Sequence, residues 1–291
     1  MTDRPIGVPP LAIPKRPIPR GACDAHAHML AGPQEFPLWP GRTEDPAPGT
    51  FELWLQRYRE HLATLGFERG VIVHTILYGD DNAITIEAVR RLGTDRFRAI
   101  ALVTDLVDDA TLNRLADQAV VGVRLNYVHG GVLSWAGVRA LAPRLRDRSM
   151  HVQMLLNADR HMVEIAEDVR RLPVPVCFDH IGWPDLGAGI EEPGFRMLCA
   201  LLAEGRAWVK LSGVYRLCGP AYRAADEAVA ALVDANPERC VWGSDWPHLM
   251  LADASTPDSG ALLDALDRVV TDERVRRRVL VENPAALYGF V

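Results

Sequence analysis

The chain has 291 residues, 48% of them hydrophobic, enough for a large core, and sets 32 Lys and Arg against 38 Asp and Glu for a net charge of −6. No basic run stands out, so the electrostatic footprint of a nucleic-acid binder is missing. The longest apolar stretches, such as residues 71–77, are far too short to span a bilayer, and the N-terminus lacks the apolar segment of a signal peptide. These features predict a cytoplasmic protein with a small-molecule partner, no nucleic acid and no membrane, a homo-oligomer being left open.

Residues 1–20 are rich in proline, which disfavours both helix and central strand, and they predict an extended arm ahead of one domain at 21–291. Beyond the arm, short β-rich runs alternate with amphipathic helical segments. ACDAHAH precedes a helix over residues 51–65, GVIVHTI one over 82–92, and FRAIALV one over 110–118. VVGVRLN, HVQMLL, PVCFDH, AWVKLSG and CVWGSD continue the alternation, each followed by helical sequence, and the last helix ends near Tyr288. In the first helix Thr50 is placed to cap, Trp54, Tyr58, Leu62 and Leu65 form one apolar stripe, and Gly66 stops it.

Eight βα units predict parallel pairing with right-handed crossovers and a distorted (β/α)8 TIM-type barrel. An open doubly wound sheet would normally carry a glycine-rich phosphate loop after its first strand, and HAHMLAGP is nothing like one. The longest irregular stretch, residues 29–49, follows the first strand and is expected to cover the barrel mouth. The five cysteines (Cys23, Cys177, Cys199, Cys218, Cys240) show no CxxC spacing and are read as reduced, with no thiolate metal site.

Three strand ends carry chemistry. In Asp24-Ala25-His26-Ala27-His28 the two histidines alternate and so point the same way. Phe178-Asp179-His180 ends the sixth strand after an apolar run, and Trp242-Gly243-Ser244-Asp245-Trp246-Pro247-His248 ends the eighth. Each alone is explained by core packing or a helix cap. In a closed barrel, however, strands one and eight are neighbours and strand six lies across the mouth, so His26, His28, His180 and Asp245 converge on one point.

With these pieces in order the sequence resembles the amidohydrolase superfamily, in the amidohydrolase-related branch that includes pyrone-dicarboxylate lactonases and sulfomuconolactone hydrolases. The segments that carry the resemblance are CDAHAH, GVRLNYV, FDHIGWPDL, WVKLSGVYRL, VWGSDWPH and LVENPAALYGF. The resemblance implies a hydrolase opening a small anionic lactone in aromatic-compound catabolism. Asp245 would be the base acting on water, and His26, His28 and His180 would polarise the carbonyl or, with Asp245, bind one Zn2+ or other divalent ion. Metal-free operation stays open, and binuclear chemistry is disfavoured because the fourth strand offers no lysine.

Arg124 on the fourth strand and Arg216 after the seventh interrupt apolar or small-residue surroundings, where a cation needs either a substrate anion or an internal carboxylate. Both are read as substrate-binding residues, together with Asn126, Trp183 and His248. Lys210 is read as structural or as a cation that orients its neighbours, and His74 as a core histidine. Two alternatives share the fold: a metal-independent sugar-acid lactone isomerase, and a Zn-dependent nonoxidative decarboxylase. The second would carry a further histidine on strand five, where Leu155 and Leu156 stand.

Overall fold

The computed structural model describes residues 9–251 and 256–290. Eight parallel strands follow one another in chain order around a barrel: β1 (Cys23–Ala27), β2 (Arg69–Val73), β3 (Phe97–Ala101), β4 (Val120–Asn126), β5 (His151–Leu155), β6 (Val176–Phe178), β7 (Ala207–Lys210) and β8 (Cys240–Val241). Closure between β8 and β1 passes through the chain just beyond β8. Ala27 bridges Trp246, and the Ala25, Asp245 and His28 amides donate to the carbonyls of Trp242, His26 and Trp246 at 2.9, 2.8 and 2.7 Å. The (β/α)8 expectation therefore holds.

The helices α1 (Phe51–Leu65), α2 (Ala83–Leu92), α3 (Asp109–Asp117), α4 (Trp135–Arg146), α5 (Ala158–Arg171), α6 (Pro193–Ala203), α7 (Asp226–Ala235) and α8 (Ser259–Val269) pack outside the barrel. Local chemistry sets α1 as anticipated: the Thr50 side chain accepts from the Leu53 amide, Gly66 ends the helix at φ 93°, and Trp54, Tyr58, Leu62 and Leu65 are buried. The tail folds as α9 (Glu273–Arg277), a π-helical turn and α10 (Asn283–Tyr288). Its Tyr288 and Phe290 join Cys23, Ala25, Val71, Val73, Ile100, Cys177, Trp208 and Val241 in a separate apolar cluster at the N-terminal end of the strands. No helix among the described residues is long and apolar enough to cross a membrane.

Residues 1–8 of the expected arm lie outside the described residues. The rest of it runs against the C-terminal helices, the amides of Ala12 and Lys15 donating to Asp258 and Asp264 at 3.1 and 2.8 Å. The 29–49 stretch is tied down at two places. The Trp39 amide donates to the Leu77 carbonyl at 2.8 Å, and the Glu44 carboxylate accepts from the Met250 amide at 2.9 and 3.0 Å, beside the mouth.

Candidate active site

His26 lies in β1 and His28 follows it by one residue, His180 follows β6 by two residues and Asp245 follows β8 by four, all at the C-terminal end of the barrel and all buried. The four side chains meet. His26 Nε2 lies 3.3 Å from His28 Nε2, and Asp245 Oδ1 lies 3.6 Å from His26 Nε2 and 3.4 Å from His28 Nε2. Asp245 Oδ2 is 3.6 Å from His180 Nε2.

The backbone is bent to bring them there. Asp24 pairs with Gly70 but Ala27 pairs with Ile72, so β1 spends three residues where β2 spends two. Such a bulge re-aims a side chain, and it accounts for His26 entering the site although Cys23 and Ala25 fill the apolar cluster below. His180, Ile181, Trp183, Asp245, His248 and Met250 all adopt left-handed backbone, with φ between 43° and 69°, a strain that clusters where side chains must be aimed. Two glycines make room. A Cβ on Gly213 would stand 2.5 Å from His180 Cγ, and one on Gly243 would stand 2.5 Å from His26 Cβ.

Asp245 is held asymmetrically. Its Oδ2 accepts from Arg216 Nε at 2.9 Å, Arg216 Nη2 at 2.8 Å and the Tyr215 hydroxyl at 2.6 Å, whereas Oδ1 has no hydrogen-bond partner among the described residues. Burial raises the Asp245 carboxyl, but Arg216 and then His180 overcome it, so the group titrates well below the ordinary carboxylate range. It is an anion at neutral pH. Burial, with Lys210 adding to it, pushes His26 well below its usual value, and burial brings His180 down to about 4, so both rings are neutral. His28 Nδ1 stands 2.7 Å from the Val73 carbonyl, which only accepts; the ring proton is therefore assigned to Nδ1 and the lone pair to Nε2, facing Asp245 Oδ1.

A second buried network backs the first. Asp179 Oδ2 accepts from Arg124 Nε at 3.2 Å and from Gln153 Nε2 at 3.1 Å, and Gln153 Oε1 accepts from Lys210 Nζ at 2.6 Å. Lys210 Nζ also lies 3.2 Å from His26 Nδ1 and 3.5 Å from Asp179 Oδ1, beside the ring. Asp24, at the start of the histidine motif, accepts from the amide and hydroxyl of Ser244 at 2.8 and 2.7 Å, which locks the Asp245 segment onto β1. The two arginines thus have carboxylate partners inside the protein, Asp179 for Arg124 and Asp245 for Arg216, so their burial does not by itself call for a substrate anion. No hydrogen bond within the described residues uses the Nη1 group of either one, and both line the cavity above the histidines.

That cavity is walled by His28, Arg124, Asn126, His129, His180, Trp183, Arg216 and Asp245, with Thr75 and the apolar Ile76, Leu155, Leu249 and Met250 completing it. Asn126 and Trp183 stand where the sequence put them. His248 does not reach the cavity; its ring packs edge-on against Tyr215 with centroids 5.1 Å apart. His74 is a buried histidine bonded to Thr85 at 2.8 Å, as read. Sequence reasoning gave no role to Asp179, Gln153, Tyr215 or His129. Asp179 carried the same signal as Asp245, a carboxylate in an apolar strand end; Gln153 and Tyr215 carried none.

The donor set suits a divalent ion. Ligand atoms of His26, His180 and Asp245 lie within 4.8 Å of one another, and a mixed imidazole and carboxylate set is what Zn2+ takes. Asp245 Oδ1 is free to coordinate, and Asp179 Oδ1, also without a hydrogen bond, stands 3.3 Å behind His26 Nδ1, the place of the carboxylate that orients a ligating imidazole. His28 touches His26 and Asp245 but falls outside this three-residue set.

A family described as amidohydrolase matches residues 23–290. The chain belongs to the amidohydrolase family. Among its relatives, 4-sulfomuconolactone hydrolase of Hydrogenophaga intermedia is 32% identical over 94% of this chain and 90% of its own. D-galactarolactone isomerase of Agrobacterium fabrum is 28% identical over 94% and 93%. A crystal structure of a probable 2-pyrone-4,6-dicarboxylic acid hydrolase from Acinetobacter baumannii with citric acid bound superposes with a TM-score of 0.81 at 25% identity, covering 93% of this chain and 100% of that one. These relatives thus include a hydrolase and an isomerase, each named for a lactone.

Proposed function

We propose that this amidohydrolase opens a small lactone bearing an acidic group, of the muconolactone or pyrone type, in the breakdown of aromatic compounds. The observation that carries the reading is the ionised Asp245, its Oδ1 turned toward the histidines beneath a cavity lined by two arginines. Asp245 Oδ1 and the His28 Nε2 lone pair are two acceptors 3.4 Å apart, placed to hold one water through both its hydrogens. Asp245 takes the proton as that water attacks the carbonyl carbon. The oxyanion then needs donors, and the His180 imidazole N–H and the Arg216 Nη1 group supply them. Collapse of the tetrahedral intermediate then breaks the ring acyl–oxygen bond, and Asp245 returns the proton to the leaving oxygen. Arg124, Asn126 and Trp183 hold the rest of the ring and its acid group.

His26, His180 and Asp245 are the residues that would hold a Zn2+ ion, which when bound supplies Lewis-acid polarisation and lowers the pKa of water. A strand-five histidine, as a decarboxylase would require, is not at the mouth: Leu155 lines the cavity there, and His151 sits at the other end of β5, its ring against Tyr288. The isomerase is the second reading, favoured by the 28% identical galactarolactone isomerase. Product mass separates the two, because hydrolysis adds one water and isomerisation adds none. Asp245→Asn is expected to lower turnover about a thousandfold while circular dichroism stays that of the folded chain. Unchanged turnover would remove Asp245 from the mechanism.

A further inference from the structure

An arginine facing a carboxylate ordinarily forms a fork, each oxygen taking one N–H. Here the fork is not made. Both Arg216 Nε and Arg216 Nη2 donate to Oδ2 of Asp245, at 2.9 and 2.8 Å, and a third donor, the Tyr215 hydroxyl, sits on the same oxygen at 2.6 Å. Tyr215 comes from the turn after β7, in the motif Lys210-Leu211-Ser212-Gly213-Val214-Tyr215-Arg216. Its ring is wedged between the Arg216 guanidinium, 4.9 Å from the ring centre, and the edge-on ring of His248. The amide of His248 in turn donates to the Asp245 carbonyl at 2.8 Å, so Tyr215 is braced by the same segment that carries the carboxylate.

We infer that Tyr215 is a positioning residue that divides the labour of the two Asp245 oxygens, pinning Oδ2 so that Oδ1 alone is left to receive the proton of the attacking water. Without the hydroxyl, nothing opposes rotation of the carboxylate into the ordinary fork, where Arg216 would occupy both oxygens and the base would be spent. His248 acquires a place in the same arrangement, behind Tyr215 and away from the substrate. The inference rests on the proposed lactone hydrolysis for its kinetic consequence, but its geometric consequence stands apart from any substrate.

The test is Tyr215→Phe, which keeps the ring and removes only the oxygen. With 2-pyrone-4,6-dicarboxylate as substrate, kcat is expected to fall roughly 10- to 100-fold, the usual weight of one hydrogen bond to a charged group, with KM within about threefold of wild type. The deficit is expected to be the same for lactones whose leaving oxygens differ in acidity, because the lost function is aim and not proton donation. A deficit that vanishes with a more acidic leaving group would make Tyr215 a proton donor instead, and a rise in KM alone would make it a substrate contact; either overturns the inference. Crystal structures of the wild type and of Tyr215→Phe decide the matter even if no lactone is turned over, an outcome that would defeat the proposed function. The inference expects the variant's Asp245 carboxylate to be rotated into a two-oxygen fork with Arg216, and an unmoved carboxylate contradicts it.

Discussion

The two ends of this barrel are built from the same strands on opposite principles. At the N-terminal end Cys23, Ala25, Val71, Val73, Ile100, Cys177 and Val241 meet the tail residues Tyr288 and Phe290 in an apolar cluster that any volume-conserving repacking would satisfy. Toward the other end of the barrel lie His26, Arg124, Gln153, Asp179, Lys210 and Asp245, all buried, where each charge is tolerated only because a specific partner stands within hydrogen-bond reach. The contrast teaches where specificity resides. The apolar end is held by packing alone, and the polar end, whose groups would be costly to bury alone, is fixed in one geometry by mutual need.

The contrast breaks most severely at Asp179. It is the common partner of Arg124 and Lys210, so Asp179→Ala leaves two buried cations without their carboxylate and is expected to cost about 3–5 kcal/mol, read as a large drop in the urea midpoint at pH 7. A loss below about 1 kcal/mol would mean that the cations find water or other acceptors, and that the network is looser than its distances imply.

Acid should weaken the polar end next. Burial holds His74 and His248 near pKa 3 and His180 near 4, against an ordinary value of 6.5. Between about 6.5 and those values the unfolded chain binds protons that the folded chain refuses, so stability falls as pH falls through that window and is flat above it. Each histidine contributes at most about 1.4 kcal/mol per pH unit. Urea midpoints at pH 7.5 and pH 5 should therefore differ, the lower pH being the weaker; equal midpoints would show that these rings gain protons without unfolding.

The smallest expected effect belongs to the apolar end. The buried Tyr288 hydroxyl has no well-formed hydrogen bond among the described residues, so Tyr288→Phe should leave stability unchanged or raise it by up to about 1 kcal/mol. Thermal unfolding of the variant reads this directly, and a clear loss would reveal a partner that the geometry does not show.

Much of the arrangement was legible in the sequence, for identifiable reasons. The eight βα units declare themselves because strand and helix periods differ, and α1 was readable to its ends because Thr50 and Gly66 are strong local signals. His26, His28, His180 and Asp245 could be brought together because barrel closure follows from the strand count. What stayed hidden is side-chain pairing between distant strands. That Arg124 answers Asp179, 55 positions away, and that Arg216 answers Asp245 follow from register and backbone bending that no local pattern encodes. The bulge at Asp24–Ala27 was equally invisible, since an inserted residue leaves the composition of a strand unchanged. Tyr215 reads in sequence as one more aromatic residue; only the coordinates put its hydroxyl on the carboxylate.

The most direct test of the central claim is to incubate the protein with 2-pyrone-4,6-dicarboxylate in oxygen-18-labelled water and weigh the product. Hydrolysis by water activated at Asp245 predicts a ring-opened acid heavier than the substrate by one labelled water, formed by the wild type and about a thousandfold more slowly by Asp245→Asn. A product of unchanged mass, or a labelled product formed equally fast by both proteins, would contradict it.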